Sequence, residues 1–146
     1  MSLTVRDLIA TARERIREIQ PTELLELQQF GCAIVDVREP EEFAEGHVPG
    51  AVNIPRGLLE FEVDGHPAVN YQTAEALSHR ERPIVLYRLS GGRSVLAAEA
   101  LLRLGFVNPM SLDHGILGWA DAGHPVATEN GVATLPGPGN TACSCC

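Results

Sequence analysis

The chain has 146 residues and a mass of 15.7 kDa, the size of one ordinary domain. Hydrophobic residues make up 45% and charged residues 21%, the proportions of a soluble globular protein. The formal net charge is −8 and all 11 basic residues are Arg, which argues against nucleic acid or an anionic membrane surface as a partner. The longest apolar runs, residues 32–35 and 84–87, are far shorter than the roughly 18 residues of a membrane span. Acidic and basic residues enter by Arg6 and Asp7, so no secretory signal is expected. The cysteines, Cys32, Cys143, Cys145 and Cys146, form no C-x-x-C pair and offer no loops to staple. A reducing, cytoplasmic compartment is expected, with no metal and no cofactor.

Residues 4–18 read as a separate N-terminal helix. Thr4 is placed as its N-cap with Asp7 three residues on, and Val5, Leu8, Ile9, Ala12 and Ile16 fall on one face. Such a helix packs on its own domain or docks a partner, which includes a second copy of the chain. Pro21 opens a second helix, with Leu24, Leu25 and Leu27 as its apolar side, and Gly31 ends it. Residues 33–37 read as a buried strand, with Cys32 expected as a small core residue beside it. A short helix at 40–43, a turn at 46–49 and a short strand at 51–54 follow. Residues 57–63 suit one or two helical turns, and Thr73 starts a further helix. Residues 83–87 form the clearest strand, followed by a helix at 94–104 with Gly105 as its stop. A strand at 110–112 and a helix at 115–122 complete an alternating α/β pattern with a largely parallel sheet. From Ala127 the glycines and prolines multiply, and residues 127–146 read as a flexible, cysteine-bearing tail.

The strand–loop–helix at 87–104 carries the most chemistry. Backbone N–H groups converge where a glycine-bearing loop enters a helix, and the helix dipole adds partial positive charge. Gly91 and Gly92 permit the backbone that such a turn needs, and Arg93 can close over an anion with its fork of donors. Turns of this kind also occur without a ligand.

Three segments in order carry a wider likeness. Residues 36–43 (Asp-Val-Arg-Glu-Pro-Glu-Glu-Phe) are followed by 46–55 (Gly-His-Val-Pro-Gly-Ala-Val-Asn-Ile-Pro). Ser90-Gly91-Gly92-Arg93-Ser94 precedes Ala97-Ala98 and Leu104-Gly105-Phe106. Gly115-Ile116-Leu117-Gly118-Trp119 precedes Gly123 and Pro125. Over residues 19–126 the chain resembles the rhodanese-like family of single-domain sulfurtransferases. The resemblance implies a mostly parallel five-stranded sheet flanked by helices, with the site at the strand ends. It implies that Asp36 and Arg38 support the site by pinning neighbouring loops. His47 is expected to hold a turn, Trp119 to sit in the core and His114 to decorate the surface.

One departure decides the chemistry. In active members the loop opens with a cysteine that carries sulfane sulfur as a persulfide, and it usually reads like Cys-Arg-Ser-Gly-Gly-Arg. Here it reads Arg88-Leu89-Ser90-Gly91-Gly92-Arg93, with Arg88 at the nucleophile position. A guanidinium stays protonated and forms no persulfide. The same chemistry excludes a cysteine-dependent phosphatase on this loop. A positive loop remains, expected to bind a small oxyanion such as thiosulfate, sulfate or phosphate, unless Arg88 points to solvent or pairs with Glu39 or Glu41.

Cys143, Cys145 and Cys146 crowd the end of the chain. A coil from Pro125 to Cys143 spans roughly 23–25 Å, enough to visit the loop. Three readings compete: a substitute sulfur-carrying thiol, a soft-metal thiolate site, and an incidental tail or reversible disulfide. The expected function is a sulfur-metabolism protein lacking the loop nucleophile, in which any sulfur transfer uses these cysteines, with a small oxyanion or a protein thiol as partner. The alternative is a non-catalytic module that binds an oxyanion or an acidic partner group.

Overall fold

The computed structural model describes residues 2–90, 93–128 and 131–134. Helix α1 runs Val5–Arg15 and begins with a reciprocal cap: Thr4 accepts from the Asp7 amide, and Asp7 accepts from the Thr4 amide. It stops three residues sooner than its spacing predicts. Ile16 turns extended, and Arg17–Ile19 become strand β1, paired in parallel with β5 (Pro109–Leu112). Ile19 is fully buried there, so sheet pairing and burial override the helical periodicity. Helix α2 (Pro21–Gln29) leads into β2 (Ala33–Asp36). Cys32 lies just before that strand, half-buried and packed against the core on the α2 side.

Helix α3 (Pro40–Glu45), strand β3 (Val52–Asn53) and helix α4 (Leu59–Asp64) follow. The helix expected from Thr73 is reduced to one 3₁₀ turn at Glu75–Leu77. Beyond Leu77, Ser78-His79-Arg80-Glu81-Arg82 has no apolar residue to bury, so nothing pulls the turn into a longer helix. Strand β4 (Ile84–Tyr87), helix α5 (Arg93–Arg103), strand β5 and helix α6 (Gly115–Asp121) then alternate as the pattern predicts.

The five strands form one sheet in the order β1-β5-β4-β2-β3, and every pairing in it is parallel. Apolar residues fill both faces, as a covered parallel sheet requires. In β4, Ile84 and Leu86 point into a core shared with α1, α4 and α5. Val85 and Tyr87 point into a second core shared with α2 and α6. The chain crosses to opposite sides of the sheet after β2 and after β4. The gap between these strands is therefore the topological switch point, where an open α/β sheet offers its ligand crevice at the strand ends.

The expected tail boundary at Ala127 falls inside a strand. Pro125–Thr128 (β6) pairs antiparallel with Gly131–Thr134 (β7), and Ala127 exchanges two backbone hydrogen bonds with His47, of 2.9 and 2.7 Å. Val126 and Ala127 are buried, so this stretch does have something to bury. Among the described residues no helix is long and apolar enough to cross a membrane.

Candidate functional site

The loops leaving β2 and β4 meet at the switch point. After β2, Asp36 and Arg38 form a buried fork. The Arg38 guanidinium donates to both Asp36 oxygens (2.7–3.1 Å) and to the Gly46 carbonyl (2.7 Å), while the Arg38 amide donates to Asp36 Oδ1. Burial alone would lower the pKa of the guanidinium, but hydrogen bonding and charge from Asp36 raise it overall. Asn53 Nδ2 donates to the carbonyls of Asp36 and Arg38, fixing this loop to the β3 edge. Tyr87, at the end of β4, accepts from the Val48 amide at 2.9 Å. Its burial, with the Asp36 charge nearby, pushes the phenol pKa up, so it stays neutral. These groups hold the two loops together.

The β4–α5 loop begins at Arg88. Its first two carbonyls are taken by the start of α6: the Ile116 amide donates to Arg88 O at 3.0 Å and the Leu117 amide to Leu89 O at 3.1 Å. Gly115 permits this approach. Its φ is +57°, and a Cβ there would lie 2.4 Å from Arg88 O. At the far end of the loop, the buried Ser94 and Ser111 hydroxyls share a 2.6 Å hydrogen bond that ties α5 to β5.

Arg88, Leu89, Ser90 and Arg93 line a cleft of about 170 Å³, with Glu42 on its other wall. Among the described residues Arg88 and Arg93 form no ion pair, and the alternative of Arg88 pairing with Glu39 or Glu41 is not seen. Two arginines, one of them the first residue of α5, thus line a cleft that holds one carboxylate. Glu42 was not singled out from the sequence. Its signal was there: it stands three residues after the N-cap Glu39, whose amide it accepts at 3.2 Å. That local bond fixes where the carboxylate stands.

The other expected residues fall as follows. Gly91 and Gly92 lie outside the described residues, as do Cys143, Cys145 and Cys146. His47 accepts or donates at Phe43 O (2.8 Å) and stacks on the Phe43 ring. Trp119 is fully buried and donates to the Pro125 carbonyl. His114 is exposed at φ +62°. Cys32 sits at the opposite end of β2 from the cleft, and burial pushes its thiol up to about 11. Among the described residues no group of His, Cys, Asp and Glu could hold a metal.

An open parallel sheet with an arginine-lined cleft at its switch point defines a class, and comparison with known proteins narrows it. The rhodanese-like domain family matches residues 20–122, and the chain belongs to that family. The sulfurtransferase of Allochromatium vinosum is 31% identical over 98 residues, covering 67% of this chain and 80% of that protein. The thiosulfate sulfurtransferase GlpE of Pseudomonas aeruginosa is 29% identical over 120 residues, covering 82% of this chain and 97% of that one. A Rhodopseudomonas palustris protein of unknown function, described as a possible tyrosine phosphatase, superposes with a TM-score of 0.75. It is 28% identical, over 86% of this chain and 96% of its own.

Proposed function

We propose that this is a rhodanese-family protein of sulfur metabolism whose β4–α5 loop binds a small oxyanion of the thiosulfate or sulfate class and forms no persulfide there. The observation that carries this is the cleft that Arg88 and Arg93, without an ion pair among the described residues, line together with Ser90. The sulfurtransferase relatives support sulfur chemistry as the setting. Arg88 stands where the resemblance puts the sulfur-carrying cysteine, and a guanidinium has no lone pair to offer a sulfane sulfur at accessible pH. The same absence argues against a cysteine-dependent phosphatase activity. Cys32 is no substitute: it is remote and its thiol is held protonated. Any sulfur transfer by this chain therefore uses Cys143, Cys145 or Cys146.

The test is calorimetry of the intact chain with thiosulfate, sulfate and phosphate at low ionic strength. Binding at millimolar anion or tighter is expected, weakened about tenfold or more by Arg88→Ala and by Arg93→Ala, as loss of a charge-assisted hydrogen bond requires. No binding overturns the reading. A thiocyanate-forming assay with thiosulfate and cyanide adds the chemistry. Arg88→Cys is expected to gain turnover that survives removal of the residues after Thr134, while turnover by the unsubstituted chain is lost with them.

A further inference from the structure

A second cleft of about 190 Å³ adjoins the first and shares Leu89 and Glu42 with it. Its character is different. Its floor is apolar, made by the buried Ile116, Ala120 and Val126, and the half-exposed side chains of Leu89 (47%) and Leu117 (49%) stand over it. Arg38 also reaches its lining, with its Nε and Nη2 committed to Asp36 and to the Gly46 carbonyl. The remaining charges on its rim, Glu42 and Glu45, are both negative.

An inorganic oxyanion held by Arg88 and Arg93 would leave the second cleft uncovered. Each cleft alone falls below the roughly 300 Å³ at which small-molecule sites begin, and the two together exceed it. The charge distribution runs along this joint cleft, from two guanidiniums at one end, across Leu89, to an apolar floor with an acidic rim. A matching ligand has an anionic head and a short apolar tail. A second anionic group on the tail would meet Glu42 and Glu45.

We propose that the occupant of the joint cleft is a short-chain organic oxyanion, with a sulfonate-type head between Arg88 and Arg93 and an uncharged tail of a few carbons across Leu89 onto Ile116, Leu117 and Val126. This rests on the reading of the loop as an oxyanion site and names the substrate class for it. Covering Leu89 and Leu117 removes apolar surface from water, and each buried methylene tightens binding about fourfold.

The test compares hexane-1-sulfonate with methanesulfonate by calorimetry on the full chain at low ionic strength. Hexanesulfonate is expected to bind at least about tenfold more tightly, with a more negative heat-capacity change, the mark of buried apolar surface. Arg88→Ala is expected to weaken both ligands, and Leu117→Ser to bring hexanesulfonate towards methanesulfonate. Equal affinity for the two sulfonates, both still sensitive to Arg88→Ala, overturns the tail subsite and leaves the oxyanion site standing. Tighter hexanesulfonate binding that ignores Arg88→Ala also overturns the proposal, because head and tail would then not share one site. Failure of thiosulfate and of both sulfonates to bind overturns the oxyanion site itself.

Discussion

Arginine serves two different purposes at this switch point, and the surroundings of each guanidinium decide which. Arg38 is buried and donates through Nε and Nη2 to Asp36 and the Gly46 carbonyl. Arg88 and Arg93 stand at the cleft with no acidic partner among the described residues, available to a ligand. The sequence pattern placed all three near one another, but their division of labour rests on burial, which spacing does not report. It follows that Arg38 is the one whose loss is felt by the fold. Arg38→Ala leaves the Asp36 carboxylate buried and uncompensated. The expected cost is about 3–5 kcal/mol in urea unfolding, because removing one partner of a buried pair strands the other charge. Arg88→Ala, at a more accessible position, is expected to leave the urea midpoint nearly unchanged. A small effect of Arg38→Ala would show that water reaches Asp36.

Among the elements, α6 does more than cover the sheet. Its first amides hold the carbonyls of Arg88 and Leu89, so the loop inherits its shape from a helix far along the chain. Gly115→Ala forces a Cβ to within 2.4 Å of Arg88 O at a left-handed φ. It is expected to lower Tm and to weaken thiosulfate binding together. Gly123 has a similar positive φ of +87°, but open space around it. Gly123→Ala should cost stability of the order of 1 kcal/mol or more and leave thiosulfate affinity unchanged. Equal effects of both on binding would detach α6 from the loop. The long amphipathic elements were legible in the sequence. The stripe of α5 and the run of β4 announce themselves by period and by length. β1 did not, since three residues show no alternation and its partner β5 lies about 90 residues away. Glu42 was hidden for a different reason: a half-buried cap looks like one more surface acid in an acidic stretch.

For the molecule as a whole, residues 2–19 are structural members of the fold. α1 contributes Ala12, and Ile16 after it, to the core shared with α5, and β1 closes the sheet beside β5. Residues 1–18 were expected as a separate helix because an amphipathic face says only that something covers it. A chain beginning at Gln20, where the family match begins, exposes β5 as an edge and uncovers α5. Such a fragment is expected to melt more than about 10 °C below the full chain, or to aggregate, in a thermal scan. A melting point within a few degrees would show that the N-terminal segment is dispensable to the fold. At the other end, composition makes residues 127 onward look unstructured, yet Ala127 bridges to His47 and the β6–β7 hairpin carries regular structure out to Thr134.

The bonds from α6 to the loop have one more implication. They use only the carbonyls of positions 88 and 89, and so are indifferent to which side chains those positions carry. The backbone around position 88 is thus held independently of its side chain, and on the proposed reading Arg88→Cys is expected to supply a nucleophile without redrawing that backbone.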